Sequence, residues 1–160
     1  MSRDRDASGR ARNSRPRDAT GRPLPRGAAG VEQLPDDLAL SGAEAVDEAQ
    51  RLLDAGRPFA AHEVLEAGWK AAPDAERDLW RGLAQLAVGL THVQRGNARG
   101  ARSLLTRAGE RIATWPGDIP HGLDLGGLTR AAEDLVARIE ADGVATLGAA
   151  DLRLRLRRPT

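Results

Sequence analysis

Residues 75–96 read A-E-R-D-L-W-R-G-L-A-Q-L-A-V-G-L-T-H-V-Q-R-G. This spacing of apolar residues predicts an α-helix over residues 75–95, capped by Asp74 and ended by Gly96. Within residues 82–90, every position except Gln85 is apolar or glycine. Because a helix that is apolar on all sides is buried, we expect this helix to lie at the centre of an all-α fold. Its main apolar strip consists of four leucines, Leu79, Leu83, Leu86 and Leu90.

Four further helices are predicted, each from an apolar stripe bounded by a capping or breaking residue. The first begins at Ser41, which forms the S-x-x-E pattern of a capping box with Glu44, and ends near Gly56. The other three run from Pro58 to about Ala71, from Asn97 to about Trp115, and from Asp124 to Gly143. The sequence therefore predicts a compact bundle of about five helices over residues 41–143.

A weak internal repeat indicates how these helices pack. The segment G-R-P-F-A-A-H-E-V-L-E begins at Gly56, and the similar segment G-N-A-R-G-A-R-S-L-L-T begins 40 residues later at Gly96. Each unit is a helix, a tight glycine turn and a second helix. This layout is typical of helical repeat proteins, so we expect stacked antiparallel helical hairpins.

Charge is distributed unevenly along the chain. The 160 residues contain 24 Lys and Arg and 23 Asp and Glu, for a net charge of +1. Residues 1–27 carry +5 and residues 151–160 carry +3, which leaves −7 for the segment between them. Residues 1–40 are predicted to be a basic arm, rich in Arg, Gly and Pro, that is either of low order or laid along the surface. Residues 144–160 are predicted to be a C-terminal tail, in which L-R-L-R-L-R-R has the alternation of a short extended segment.

Composition excludes several classes of site. The chain has no cysteine, which rules out disulfides, cysteine-bound zinc, iron–sulfur clusters and thiol nucleophiles. An aromatic content of 2% argues against a base-stacking surface for single-stranded nucleic acid. No apolar run approaches the length of a membrane span, and no apolar signal region follows the start. We therefore expect a cytoplasmic protein that does not enter the membrane.

One predicted helix face carries side chains that core packing does not explain. At about 100° per residue, one face of the second helix carries Phe59, His62, Leu65, Glu66 and Trp69. A strip of the third helix carries Arg81, Gln85 and His92. In an antiparallel hairpin, His62 and Glu66 would meet Gln85 or His92. Because a buried carboxylate must be paired, one interpretation is a buried hydrogen-bonded His62–Glu66 pair that sets the register of the two helices.

These segments resemble a known family. Residues 59–69, F-A-A-H-E-V-L-E-A-G-W, together with residues 77–92 and R-G-N-A-R-G-A-R-S-L-L from Arg95, resemble the bacterial and archaeal domain-of-unknown-function family 309. The family is marked by H-x-x-x-E-x-x-W, here His62, Glu66 and Trp69, and the resemblance covers roughly residues 43–115. It implies a compact all-α protein with no established activity and a His/Glu motif suggested to bind metal. At Thr91, beside His92, the chain departs from common members and lacks a second histidine ligand.

A metal site is the second interpretation of the cluster. His62 and Glu66, one helical turn apart, could bind a divalent ion such as zinc, with His92 as a third ligand from the neighbouring helix. Glu63 would then be the candidate base that acts on metal-bound water. The pattern differs from the H-E-x-x-H of zinc peptidases, because Glu66 takes the place of the second histidine.

Three functions remain open from the sequence. The favoured one is an interaction or structural module whose groove receives a peptide, an identical subunit or its own arm, with Phe59, Trp69, Arg81 and Gln85 as candidate pocket residues. The second is a metal-binding protein or metal-dependent hydrolase. Nucleic-acid binding through the arginine-rich arm is the least expected. The sequence leaves open whether the protein is an enzyme.

Overall fold

A computed structural model describes residues 40–159, and the helices account for most of this part of the chain. The all-α prediction is confirmed. The five α-helices are α1 (Gly42–Asp54), α2 (Pro58–Ala71), α3 (Arg77–Gln94), α4 (Ala98–Ala113) and α5 (Leu125–Asp142). Short 3₁₀ helices span Asp74–Glu76, Pro120–Gly122, Val144–Thr146 and Ala149–Leu152. Within residues 40–159 there is no strand, and one isolated antiparallel bridge joins Leu123 to Arg157.

The predicted basic arm lies outside the described residues, apart from Leu40. None of the helices in the described part of the chain is both long and apolar enough to cross a bilayer.

The helix starts follow the capping residues of the sequence. The Ser41 hydroxyl accepts from the Glu44 amide at 3.2 Å, and the Ser41 amide donates to the Glu44 carboxylate at 3.1 Å, which completes the capping box. The side chains of Asn97 and Asp124 accept from the amides of Gly100 and Gly127, each at 3.0 Å. These bonds satisfy amides that a helix start leaves without partners.

The start of α3 differs from the sequence prediction. The predicted cap, Asp74, opens a 3₁₀ turn instead, in which the Glu76 amide donates to the Pro73 carbonyl at 2.8 Å. The Asp74 carboxylate lies 3.1 Å from Arg77 and makes no capping bond. The first α-helical residue is therefore Arg77, two residues later than predicted.

Helices that follow one another in sequence pack against one another. The extensive contacts are those of α1 with α2, α2 with α3, α3 with α4, and α4 with α5. The α3 helix lies between α2 and α4, and its four-leucine strip is at most 2% exposed. Trp80 of α3 is fully buried as well. This arrangement is the predicted stack of antiparallel hairpins, with α3 as a central helix.

The two hairpin turns of the repeat share one hydrogen-bond pattern. At the end of α1, Gly56 donates to Leu53 at 3.0 Å and Arg57 donates to Leu52 at 2.9 Å. At the end of α3, the residues 40 positions later repeat these bonds: Gly96 donates to Val93 at 3.0 Å, and Asn97 donates to His92 at 2.9 Å. Both glycines have a left-handed backbone, with φ of 74° and 72°. This is the Schellman motif, so glycine is required at both turns.

The C-terminal residues pack back onto the first helix. Leu152, Leu154 and Leu156 are buried, and the arginines between them are exposed. The Gln50 side chain of α1 donates to the Leu154 carbonyl at 2.9 Å and accepts from the Leu156 amide at 2.8 Å. The Asp124 amide at the start of α5 donates to the Leu156 carbonyl at 2.8 Å. This segment therefore connects α1 to the beginning of α5.

Candidate functional site

A groove between α2 and α3 collects most of the residues singled out by the sequence. We call it the α2–α3 groove; its volume is about 210 Å³. One residue of α4 closes it on one side. Its lining consists of His62, Glu66, Trp69, Arg81, Ala84, Gln85, Val88 and Leu104. The antiparallel packing of α2 on α3 thus brings His62 and Glu66 to Gln85, one of the two partners expected for them.

His62 and Glu66 form a pair at the edge of the groove. His62 Nε2 lies 3.6 Å from Glu66 Oε1, and the side chains are 19% and 46% exposed. The histidine is mostly buried, whereas the carboxylate, which was expected to be buried, reaches solvent. The polar contact with His62 lowers the pKa of Glu66 below its ordinary value; the charges of His62 and Lys70 add to this, and partial burial opposes it. Solvent contact and His62 together explain how a carboxylate fits on this otherwise apolar face.

Two polar atoms of the groove residues are buried without a hydrogen-bond partner in residues 40–159. They are His62 Nδ1 on α2 and Gln85 Oε1 on α3. A buried polar atom left without a partner costs about 1–3 kcal/mol. Such atoms are uncommon in folded proteins, and here two of them belong to facing helices of one groove.

The aromatic residues of the cluster take different positions. Trp69 is partly buried and lines the groove. The Phe59 ring lies 5.5 Å from the His62 ring, tilted by 50°, and the Arg95 guanidinium lies 5.9 Å from the Phe59 centroid. Phe59 therefore packs against His62 without lining the groove.

Trp80, also on α3, belongs to the core and fits against a glycine of α2. A Cβ atom added to Gly68 would lie 2.9 Å from the Trp80 ring. Trp80 Nε1 donates to the Glu76 carboxylate at 3.2 Å, which satisfies its one polar atom.

His92, the third ligand of the metal hypothesis, packs against the turn between α3 and α4. Its Nδ1 lies 3.0 Å from Asn97 Nδ2, and it does not line the α2–α3 groove. Burial, and then the charge of Arg95, hold the pKa of His92 below its ordinary value. Glu63, the candidate base, is also absent from the groove lining.

No group of three His, Cys, Asp or Glu side chains in the described part of the chain is arranged to hold a metal ion. The ligand set of His62, Glu66 and His92 stays a prediction, with two of its members together at the groove.

Sequence reasoning did not identify the apolar part of the groove. Ala84 and Val88 of α3 and Leu104 of α4 line it, but in the sequence they are ordinary members of apolar helix stripes. Their lining role depends on how far α4 stands from α2. The spacing of residues within one helix carries no signal for this distance.

Comparisons with known proteins match the segment that forms the groove. Residues 46–104 match the sequence model of the family described as "Domain of unknown function (DUF309)". The chain is also similar to the uncharacterized protein YpuF of Bacillus subtilis (strain 168), with 34% identity over 84 residues that cover 51% of this chain and 48% of that protein. The chain thus spans about half the length of this relative. No solved structure matches the chain. The resemblance to family 309 is therefore confirmed for residues 46–104, the segment that holds α2, α3 and the lining of the groove between them.

Proposed function

We propose that this protein is an interaction module whose α2–α3 groove binds a short peptide segment of a partner protein. The observation that carries the proposal is the pair of unpartnered polar atoms, His62 Nδ1 and Gln85 Oε1, on residues that line one open groove. A bound peptide brings amide groups that can serve as hydrogen-bond partners once these side chains turn toward it. Binding would then remove a cost that the free protein carries.

The remaining lining supports a peptide as the ligand. Ala84, Val88 and Leu104 form an apolar floor, and the partly buried Trp69 is a large rigid wall. Tryptophan and arginine are the residues most enriched at the energetic centres of protein interfaces. Arg81 and Glu66 place one charge of each sign at the groove. The groove therefore suits an aliphatic anchor residue flanked by polar or charged residues.

The test uses a displayed library of random twelve-residue peptides, selected against the full chain. Binding of the selected peptides is then measured by fluorescence polarisation to the wild type and to Trp69→Ala. Since a truncated interface tryptophan costs about 2 kcal/mol or more, we expect Trp69→Ala to weaken binding by about thirtyfold or more.

The matched control is Trp115→Ala, which removes a second partly buried tryptophan that does not line the groove. This variant should bind the selected peptides as the wild type does. If the library yields no enriched sequence, or if Trp69→Ala binds as well as Trp115→Ala, the proposal is wrong.

A divalent metal ion such as zinc is the second candidate ligand. It is favoured by one observation, the 3.6 Å separation between the potential ligand atoms of His62 and Glu66. Elemental analysis of the full chain after equilibration with zinc tests it. Stoichiometric zinc that is lost in His62→Ala and kept in His121→Ala would support a metal site, whereas equal zinc in wild type and His62→Ala would exclude this one. A cytoplasmic location and a bacterial source stay predictions from the sequence.

A further inference from the structure

A second, larger groove lies between α4 and α5. We call it the α4–α5 groove; its volume is about 440 Å³. Its floor is apolar, formed by residues such as Leu105, Ala132 and Val136. All of its lining comes from α4, the residue after it, and α5. No third helix of the described chain closes it in the way that Leu104 of α4 closes the α2–α3 groove.

This groove repeats the α2–α3 groove at the second hairpin. When the Gly56 turn is aligned with the Gly96 turn, each residue of α2 corresponds to the residue of α4 that lies 40 positions later. The helices α3 and α5 have equal lengths and align with each other at an offset of 48 positions. With these offsets, Glu66 and Trp69 correspond to Thr106 and Gly109. Ala84, Gln85 and Val88 correspond to Ala132, Glu133 and Val136. All five of these equivalent positions line the second groove as well.

The difference at one of these positions opens the second groove. Where Trp69 forms the wall of the first groove, the second has Gly109. A Cβ atom added there would meet only the Ala132 methyl, at 3.5 Å, an ordinary contact distance. The second groove therefore lacks the tryptophan wall of the first, in keeping with its larger volume.

The charge of the second groove also differs from that of the first. Its lining contains three exposed glutamates and no basic side chain. In the described part of the chain none of the three carboxylates is ion-paired. The three residues are Glu110, Glu133 and Glu140. An apolar floor with an acidic rim calls for an occupant that combines an aliphatic side chain with positive charge.

We propose that residues 22–26 of this chain, R-P-L-P-R, occupy the α4–α5 groove. Leu24 is the one large aliphatic residue after the initial methionine in residues 1–27, and Arg22 and Arg26 flank it. Leu24 contacts the apolar floor, and the two arginines face the glutamates. Pro23 and Pro25 restrict the backbone of this segment, which lowers the entropy lost on binding.

The chain is long enough for this contact. Residue 40 adjoins the start of α1, and Gly42 there packs so closely on His121 that an added Cβ would collide with it. His121 lies just before α5, so Ala132 is about 12–17 Å along the helix from this point. The fourteen residue-to-residue steps from Arg26 to Leu40 reach up to about 46 Å when extended. Since the segment is tethered to the same molecule, weak contacts suffice to keep it bound.

The experiment is paramagnetic relaxation in the full chain. The chain has no cysteine, so Ala28→Cys gives one site for a nitroxide label close to the proposed segment. We expect the amide signals of Gly109, Ala132 and Val136 to lose more than half of their intensity, and those of the α2–α3 groove to keep theirs.

Charge reversal by Arg22→Glu with Arg26→Glu, or by Glu133→Arg with Glu140→Arg, should restore the signals. Combining both reversals should bring the broadening back.

The matched control is Arg10→Glu with Arg12→Glu, which changes the net charge of the arm equally but outside the segment. It should leave the broadening unchanged; equal recovery would show general charge attraction and overturn the assignment of residues 22–26. Absence of broadening at the α4–α5 groove would overturn it too. A further sample mixes nitroxide-labelled chains with isotope-labelled chains that carry no nitroxide. Broadening in this mixture arises between molecules and would assign the groove to a second copy instead. The peptide selection tests the other groove, so the two proposals can fail separately.

Discussion

At the scale of single residues, small differences in position decide the role of each side chain in the motif of α2. His62 faces the groove and is mostly buried, Glu66 beside it is half exposed, and Gly68, two residues further on, faces the core. The helical period separates these roles, because residues two apart lie on different sides of a helix. The motif therefore combines a groove-facing side and a packing side within two turns of α2.

Gly68 is predicted to be required for packing. A Cβ atom at this position would lie 2.9 Å from Trp80 and 3.2 Å from the Ala45 methyl, both in the core. Gly68→Ala should therefore lower the free energy of unfolding by about 1–3 kcal/mol, measured by urea denaturation. The control is Gly126→Ala in α5, where the nearest atom is 3.4 Å away at the end of a flexible arginine. Equal stability of the two variants would contradict this account of the Trp80 contact.

His62 and Glu66 are predicted to be coupled, and Glu66 and His92 independent. The first pair is 3.6 Å apart, whereas His92, near the C-terminal end of α3, contacts Asn97 at the start of α4. In double-mutant cycles to alanine, the His62–Glu66 cycle should be non-additive and the Glu66–His92 cycle additive within about 0.5 kcal/mol. His62→Ala should also raise the pKa of Glu66, since the contact with His62 is the main cause of its lowering. An unchanged carboxyl titration in His62→Ala would show that the pair does not interact.

His92 gives a prediction for the pH dependence of stability. Burial and Arg95 hold its pKa in the folded chain below the ordinary value of 6.5. The unfolded chain then binds the proton more readily, so this contribution to stability is complete above about pH 6.5 and is lost as the pH falls through and below it. His92→Gln should therefore lose less stability than the wild type between about pH 7.5 and pH 5.5. A folded-state titration of His92 at or above 6.5, measured by NMR, would contradict the prediction.

At the scale of elements, the helices depend on local signals that the sequence displays and on tertiary contacts that it does not. The Ser41 capping box, the caps at Asn97 and Asp124, and the glycine turns were all predictable, because each uses residues within five positions of one another. The start of α3 was not, because a pairing of Asp74 with Arg77 competes with the cap. Likewise, the alternation in residues 152–158 indicated an extended segment but not its partner, Gln50, which lies more than 100 residues away.

The C-terminal segment is predicted to stabilise the fold through its leucines. Leu156 is 1% exposed and both of its backbone groups are hydrogen-bonded, whereas Arg155 beside it is exposed. Leu156→Ala should lower the free energy of unfolding by about 2–5 kcal/mol, and Arg155→Ala should change it by less than about 0.5 kcal/mol. Urea denaturation of both variants measures the difference. Similar effects of the two changes would mean that the segment does not pack on the core in solution.

At the scale of the whole molecule, the fold is a repeat that carries two versions of one groove. The sequence repeat at Gly56 and Gly96 predicted the stacked hairpins, but it could not show that the spaces between α2 and α3 and between α4 and α5 are equivalent. That equivalence also involves α3 and α5, whose sequences share only isolated positions such as Ala84 with Ala132 and Val88 with Val136. The grooves differ where Trp69 is replaced by Gly109 and where Gln85 is replaced by Glu133. The repeated helical packing therefore forms two grooves, α2–α3 and α4–α5, whose linings differ in chemistry.

The packing of the C-terminal segment on α1 also brings the two ends of the helical body together. Arg157 forms an ion pair with Asp47 and donates to the Ala43 carbonyl at 3.3 Å. Ends that lie side by side on the surface can be joined by a short linker. We therefore expect a circular permutant of residues 40–159, with a Gly-Ser linker between the old ends and new ends opened at the exposed Gly96 turn, to fold with the same helix content by circular dichroism. Opening the chain inside α3, between Ala84 and Gln85, should prevent folding, because that cut divides the central helix.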